Sequence, residues 1–316
     1  MSLKSSIPGV TASVGGEGRQ SHPPPLANGL TGGTARFEIS SASADEARLI
    51  EAWAAGEGWE LGIAGMLAHA VSAPQGLLVG RLDGVAAASI FANRYGDDYG
   101  FIGLYITRAD VRGRGLGSRM WRAAQSRLEG RLIGLDAVPA WQDLYIARGL
   151  RSHWRNIHFC GVPRQQDTVS APLELVDAAT LPFEVVTAYD RRFFPAPRDA
   201  FLAAWTRMPG VKAITALLEG LVVGFGVSRP SRQTRSRVGP LYADSPEAAA
   251  AVLRGLAAAA PGRAVVIDVP ETNAPALATI AGLGLRPDAH TVRMYNGAAP
   301  EVEFSGIYGV TSLEAG

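Results

Sequence analysis

The chain contains one cysteine, Cys160, in 316 residues. No intrachain disulfide can form, and zinc sites built on two or more cysteines are excluded. Such sparing use fits a reducing compartment, so a cytoplasmic location is expected. Neither sign of charge is in surplus, with 30 Lys and Arg against 29 Asp and Glu. The basic excess of a nucleic-acid binder is missing, and no nucleic-acid partner is expected. Long apolar runs are missing too. The best stretches, 61–71 and 248–260, carry His69 and Arg254. Both fall short of the ~18 residues of a membrane span, so no membrane partner is expected. Gly (37) and Pro (20) are too few to mark a low-complexity chain. Most of the chain should fold, and its length suggests two domains.

What is present is ordered along the chain. Residues 1–35 are rich in Gly, Pro and Ser without periodicity and read as a disordered tail. A strand at 36–40 follows, then helices at 44–56, with Ser43 as N-cap, and at 60–71. Strands at 77–80 and 85–92 flank Asp83-Gly84, a strong hairpin turn. A second turn near Gly96-Asp97-Asp98 leads into an apolar strand at 101–107. A Gly-rich segment, a helix at 116–128, a strand at 132–135, a helix at 140–147 and a strand at 153–160 complete the first half. Residues 161–171 read as a linker.

The second half repeats this order. Helices at 178–189 and 198–206 precede strands at 213–218 and 222–228. Glu219-Gly220 stands 136 residues after Asp83-Gly84, and Gly284-Leu285-Arg286 stands 135 after Gly149-Leu150-Arg151. Two landmarks that agree this closely indicate a duplicated domain. The copies are expected at 36–162 and 172–316. The segment from Gly306 to Thr311 is expected to dock back on the body.

The segment Arg112-Gly113-Arg114-Gly115-Leu116-Gly117-Ser118 joins an apolar strand to an amphipathic helix. Such a turn aims several backbone amides at one point, and the helix start adds partial positive charge there, which makes an anion site. Arg112, Arg114 and Arg119 add formal charge. There is no Gly-Lys-Ser/Thr, so it is not a P-loop. Taken with the order of elements around it, this segment resembles the Gln/Arg-x-x-Gly-x-Gly/Ala loop of the GNAT acyltransferase superfamily. The implied fold class is α/β, a mixed sheet of the acyl-CoA N-acyltransferase type in two tandem copies. The resemblance implies that the amides from Gly113 to Ser118 bind the pyrophosphate of acetyl-CoA as cosubstrate. It also implies that Tyr105, Ile106 and Thr107 line the pantetheine arm, and that no metal takes part.

Ala140 to Leu150 resembles the family helix Ala-x-x-x-x-Tyr-x-x-x-Gly-Phe, with Leu150 for Phe, which places the catalytic tyrosine on Tyr145. A phenol with pKa near ~10 is protonated at neutral pH and suits proton donation to a departing thiolate. The Asn that many members carry seven residues earlier is Val138 here. For the base, Glu60, Asp97, Asp98, Asp136 and His153 come into question, with Asp136 preferred, and a relayed water could also serve. Trp59, Glu60 and Asp97 are expected to bound the acceptor site. Direct attack by a primary amine of a small molecule is expected. Cys160 is disfavoured as an acyl carrier, although His158 shares its strand face. A non-enzymatic acyl-CoA sensor is the alternative. The second copy has Ser245-Pro246-Glu247 at the loop position, an ordinary helix start, and Ile280 at the tyrosine position, so it reads as degenerate.

Overall fold

The computed structural model describes residues 35–62, 65–165, 173–231, 235–260, 262 and 264–316. The expected tail, Ala35 apart, lies outside the described residues, as does part of the expected linker.

β1 (Phe37–Ser41) leads into α1 (Ala44–Gly56). Ser43 Oγ accepts from the Glu46 amide at 3.2 Å, and the Ser43 amide donates back to the Glu46 carboxylate at 2.8 Å. This reciprocal cap fixes the helix start where the sequence places it. α2 (Gly65–Ser72) begins later than expected, because Gly58 and Gly62 take φ of 81° and 75° and keep the connection as turns. β2 (Leu77–Leu82) and β3 (Val85–Tyr95) join at Asp83-Gly84, with φ of 50° and 83°. β4 (Tyr99–Thr107), α3 (Leu116–Arg127), β5 (Leu132–Ala137), α4 (Gln142–Ile146) and β6 (Arg151–Gly161) complete the first half.

The second half runs β7 (Glu174–Asp177), α5 (Phe183–Asp190), α6 (Asp199–Arg207), β8 (Lys212–Leu218), β9 (Leu221–Pro230), β10 (Ser236–Ala243), α7 (Pro246–Ala258), β11 (Val265–Pro270), α8 (Ala274–Gly282), β12 (Arg286–Tyr295) and β13 (Ile307–Gly309). Glu219-Gly220 repeats the left-handed pair with φ of 51° and 80°. In β3, Ile90 and Ala92 pack with Met120, Ala124 and Leu128 of the α3 side, while Phe91 packs with Ile50 and Ala54 of α1. Alternation along the strand thus separates the two faces of the sheet. Among the described residues, no helix is long and apolar enough to cross a membrane.

The halves do not keep separate sheets. The strand order is β1-β2-β3-β4-β5-β12-β6-β11-β10-β9-β8-β7, and Arg36–Gly316 form one compact unit. Each half's last long strand sits inside the other's territory. β12 lies antiparallel to β5, and β6 lies antiparallel to β11. A basic side chain on each exchanged strand meets a carboxylate on its host. Arg293 of β12 donates to Asp136 of β5 at 2.8 and 3.0 Å, and His158 Nδ1 of β6 lies 2.7 Å from Asp268 Oδ1 of β11.

Within each half, two parallel strands separate part-way along. β4 pairs β5 only as far as Ile102↔Leu135, and β10 pairs β11 only as far as Val238↔Ile267. In the second half the opening is filled. β13 pairs β10 through Leu241↔Gly309 and Tyr242↔Ile307, and the Val310 amide donates to the Asp268 carbonyl at 2.9 Å. Asn273 Nδ2 holds the Ser305 and Ile307 carbonyls at 2.9 Å each. The expected docking of the closing segment is therefore met, as a strand inserted into the second copy's cleft.

Removing one member of a buried ion pair leaves an uncompensated charge that costs about 3–5 kcal/mol. Arg293→Met should lower unfolding free energy by about that amount in urea titrations, because the Asp136 side chain has no solvent exposure (0%). Arg155→Met at the half-exposed pair with Glu271 (side chains 53% and 28% exposed) should cost under about 1 kcal/mol.

Candidate active site

The first half's opening is the mouth of a cavity of about 1070 Å³. One wall is β4 from Ile102 to Thr107. Here Leu104 takes φ of 47°, a conformation that costs a non-glycine residue about 1–2 kcal/mol. The register with β3 shifts at this point, and Ser89 Oγ donates to the Leu104 carbonyl at 2.9 Å, which holds the kink. Past Ile102, β4 has no β5 partner, so the strand edge facing the cavity keeps unpaired backbone groups.

The Gly-rich turn stands at the end of this wall. Gly113 and Gly115 take φ of 78° and 77°, and Gly115 caps α3 without a side-chain hydrogen bond. The first amides of a helix have no acceptor within it, so those of Leu116, Gly117 and Ser118 point outward with the positive end of the helix dipole. A Cβ on Gly117 would lie 2.8 Å from Tyr105 Oη and 3.2 Å from Thr107 Oγ1, so glycine leaves these two side chains their place beside the start of α3. The start of α7 is different. There Ser245 Oγ accepts from the Ala248 amide at 3.2 Å and Pro246 occupies the first turn.

The arginines behave otherwise than expected. Arg112 lines the cavity, its Nε donates to the Thr107 carbonyl at 2.8 Å and its guanidinium pairs with Glu57, so it also braces the loop. Arg119 lies over the Phe37 ring at 4.6 Å and donates to the Phe37 carbonyl. Arg114 is exposed and does not line the cavity. The turn thus presents mainly backbone amides to the cavity, with Arg112 beside them. Arg148, not foreseen, lies 4.5 Å over the Trp121 ring and donates to Tyr105 Oη at 3.1 Å.

Tyr145 lines the cavity, with its ring 5.5 Å from that of Trp121. The helix expected at 140–147 is a single turn of 3-10 helix, Pro139–Trp141, followed by the short α4. Gly149 at φ 90° ends it, as the sequence reading expects. Burial, with Tyr105 nearby, pushes the Tyr145 phenol up to about 12 against the opposing pull of Arg148. The hydroxyl is therefore protonated across the physiological range.

Two expected residues need correction. Asp136 borders the cavity, but its carboxylate has no solvent exposure (0%). It accepts from Arg293 and, at 2.7 Å, from Asn156 Nδ2. Burial pushes this carboxyl up against the pull of Arg293. It clamps β12 and does not offer a base. Asp97 stands on an exposed turn outside the cavity, because Tyr95 and Tyr99 bury their rings against Phe194 and draw the hairpin onto the second half. Asp98 shares that turn, and His153 Nε2 lies 3.1 Å from the Gly297 carbonyl, outside the cavity.

Trp59 and Glu60 do line the cavity, and across from them the second half supplies the wall that sequence reasoning missed. Glu60 receives a hydrogen bond from Ser231 Oγ and lies 3.2 Å from Arg235. Arg237, Asp268, Asp288, His290 and Glu314 follow, with His158 on the exchanged strand. Burial would raise the Asp268 carboxyl, but Arg237 and His158 outweigh it and hold it below the usual range. One clue was legible. Asn156, His158 and Cys160 put three polar groups on one face of a strand.

Comparison with known proteins gives the family and the fold. Residues 40–149 match the acetyltransferase (GNAT) family model, and residues 186–309 match an acetyltransferase (GNAT) domain model. Holothin acyltransferase of Pseudoalteromonas sp. (strain SANK 73390) is 27% identical over 277 residues, covering 87% of this chain and 93% of that one. A Pyrococcus horikoshii crystal structure, assigned as an acetyltransferase, superposes with a TM-score of 0.75 at 22% identity over 93% of this chain and all (100%) of its own. A tandem GNAT protein from the clavulanic acid biosynthesis pathway superposes with a TM-score of 0.57 at 18% identity, over 84% of this chain and 100% of its own. Both structures share the fold. The chain belongs to the GNAT acetyltransferase family as a tandem acyltransferase, and its second copy lacks both the Gly-rich turn and the tyrosine, whose place is taken by the fully buried Ile280 (0% exposed).

Proposed function

We propose that the protein transfers an acyl group, acetyl in the simplest case, from acyl-CoA to a primary amine of a small molecule. The observation that carries this reading is one continuous cavity. It begins at the outward amides of the Gly-rich turn, runs along the unpaired edge of β4 past Tyr145, and ends in a polar pocket between the two halves. The residues fit the cosubstrate. The αL glycines and outward helix amides suit a pyrophosphate, and the free strand edge suits an amide-bearing arm. Bound acyl-CoA supplies an activated thioester.

This chain's residues then position and exchange protons. The turn amides hold the anionic end, and β4 orients the arm. Tyr145 donates its proton to sulfur as the carbon–sulfur bond breaks. A phenol near 12 is a weak acid for a thiol whose ordinary value is near ~8.5. The same burial that raises Tyr145 also raises the basicity of a developing thiolate, which narrows the gap. Cys160 does not serve as an acyl carrier in this reading. Burial and Asp288 raise its thiol, and Sγ lies 3.7 Å from that carboxylate. Direct attack by the amine follows. The similarity to a holothin acyltransferase supports a small-molecule acceptor over a macromolecular one.

Tyr145→Phe should lower kcat for CoA release by about 10²-fold or more while leaving acetyl-CoA affinity within about twofold by calorimetry. An equal fall in both would make the tyrosine structural. Gly117→Val should weaken acetyl-CoA binding about tenfold or more by calorimetry, because its Cβ meets Tyr105 Oη at 2.8 Å and its branches crowd the cavity wall between the turn and β4. Unaltered affinity in that variant would place the cosubstrate elsewhere.

A further inference from the structure

We propose that His158, oriented by Asp268, is the base that takes the proton from the attacking amine. This rests on the acyl-transfer reading above. An amine must shed a proton as it forms the new carbon–nitrogen bond, and the acceptor of that proton needs an unoccupied lone pair facing the open cavity.

Among the described residues, six carboxylates border the cavity, and of these Glu57 is paired with Arg112 and Asp288 accepts from Cys160. Asp136 is fully buried and bonded to Arg293 and Asn156. Glu60 is bonded to Ser231 and Arg235. Asp268 gives one oxygen to His158 and the other to Arg237. Glu314 is buried (6% exposed), and its unbonded Oε1 is enclosed 3.9 Å from His69 Nε2 of α2.

His158 is placed differently. Its side chain is 19% exposed and lines the cavity. It follows Asn156 by two residues, so both face the same side of β6, and Asn156 touches Asp136 where β5 parts from β4. The imidazole therefore lines the same cavity that Tyr145 borders. Its Nδ1 is bonded to Asp268 at 2.7 Å. Asp268 is kept ionised by Arg237 and so accepts, which puts the ring proton on Nδ1 and leaves the lone pair on Nε2. Asp268 and Arg237 are positioning residues here. The proton balance is complete. The amine nitrogen bonds to the acyl carbon and gives a proton to His158 Nε2. The carbon–sulfur bond breaks, and Tyr145 gives its proton to sulfur. His158 then returns one proton to Tyr145 through solvent, and the products are an amide and free CoA thiol.

The test uses the full chain, acetyl-CoA, and two acceptors, holothin and hydroxylamine. Hydroxylamine sheds the same proton, but it is a far stronger nucleophile than its low basicity suggests, so its attack depends less on a protein base. With His158→Gln, kcat for holothin should fall about 10²–10⁴-fold, with KM for acetyl-CoA unchanged, while hydroxylamine turnover falls under about tenfold. Unchanged kcat for holothin overturns the assignment. A second readout is independent of turnover. In ¹⁵N spectra of the protein labelled at histidine, the neutral His158 ring should carry its proton on Nδ1, and Asp268→Asn should remove that preference. An Nε2-protonated ring in the wild-type protein overturns the assignment even if His158→Gln is inactive or misfolded. Wild-type protein that binds acetyl-CoA but acylates neither acceptor overturns the acyl-transfer reading itself, and the assignment with it.

Discussion

The pair between Asp136 on β5 and Arg293 on β12 decides how the rest of the molecule is arranged. Both side chains are buried, and each oxygen of the carboxylate meets a guanidinium nitrogen within 3.0 Å. Such a pair adds little net stability over an apolar one, because both charges must leave water. Its effect is on register. A slip of β12 by one residue would turn Arg293 to the other face of the sheet and leave Asp136 charged and alone. The histidine and carboxylate on β6 and β11 impose the same condition on the other exchanged strand. With both strands fixed, the sheet is continuous, and side chains of the second half are carried to the first half's cleft.

Two copies of one opening thus have opposite fates. In the first, the turn after β4 presents amides with nothing to satisfy them, and the space beyond is open. In the second, the helix start satisfies its own amides, and a strand of the same chain occupies the gap. The closing segment also reaches the open copy. A Cβ on Gly239 would collide with the Val310 and Thr311 carbonyls, and one on Gly103 with that of Glu314. These glycines stand 136 residues apart, the spacing of the duplicated hairpin turns. One strip of chain therefore crosses the same point of both copies. It fills the second cleft and walls the first.

What the sequence made legible was local chemistry. The Ser43 cap, the left-handed Asp83-Gly84 turn and the Gly-rich loop depend on residues a few positions apart, and each folds as its residue types require. Tyr145 was legible because its helix and the glycine that ends it are also local. The strand exchange was not, since β5 could accept either of two antiparallel partners and only long-range packing selects β12. Asp97 was misplaced for a similar reason. The turn around it looks like a free tip, but Tyr95 and Tyr99 are apolar enough to dock on Phe194, a residue of the other half. Asp136 misled because a strand-end carboxylate looks available until a partner 157 residues away in sequence covers it. The polar wall from Arg235 to His290 has no local pattern at all.

The exchange has a consequence for taking the molecule apart. A fragment cut after β6 would hold the whole Gly-rich turn and Tyr145. It would also expose both long edges that β12 covers, on β5 and on β6, next to a charged Asp136 with no counterion. Uncovered edges pair with whatever strand they meet. The copy without chemistry of its own is in this sense an indivisible part of the one that has it.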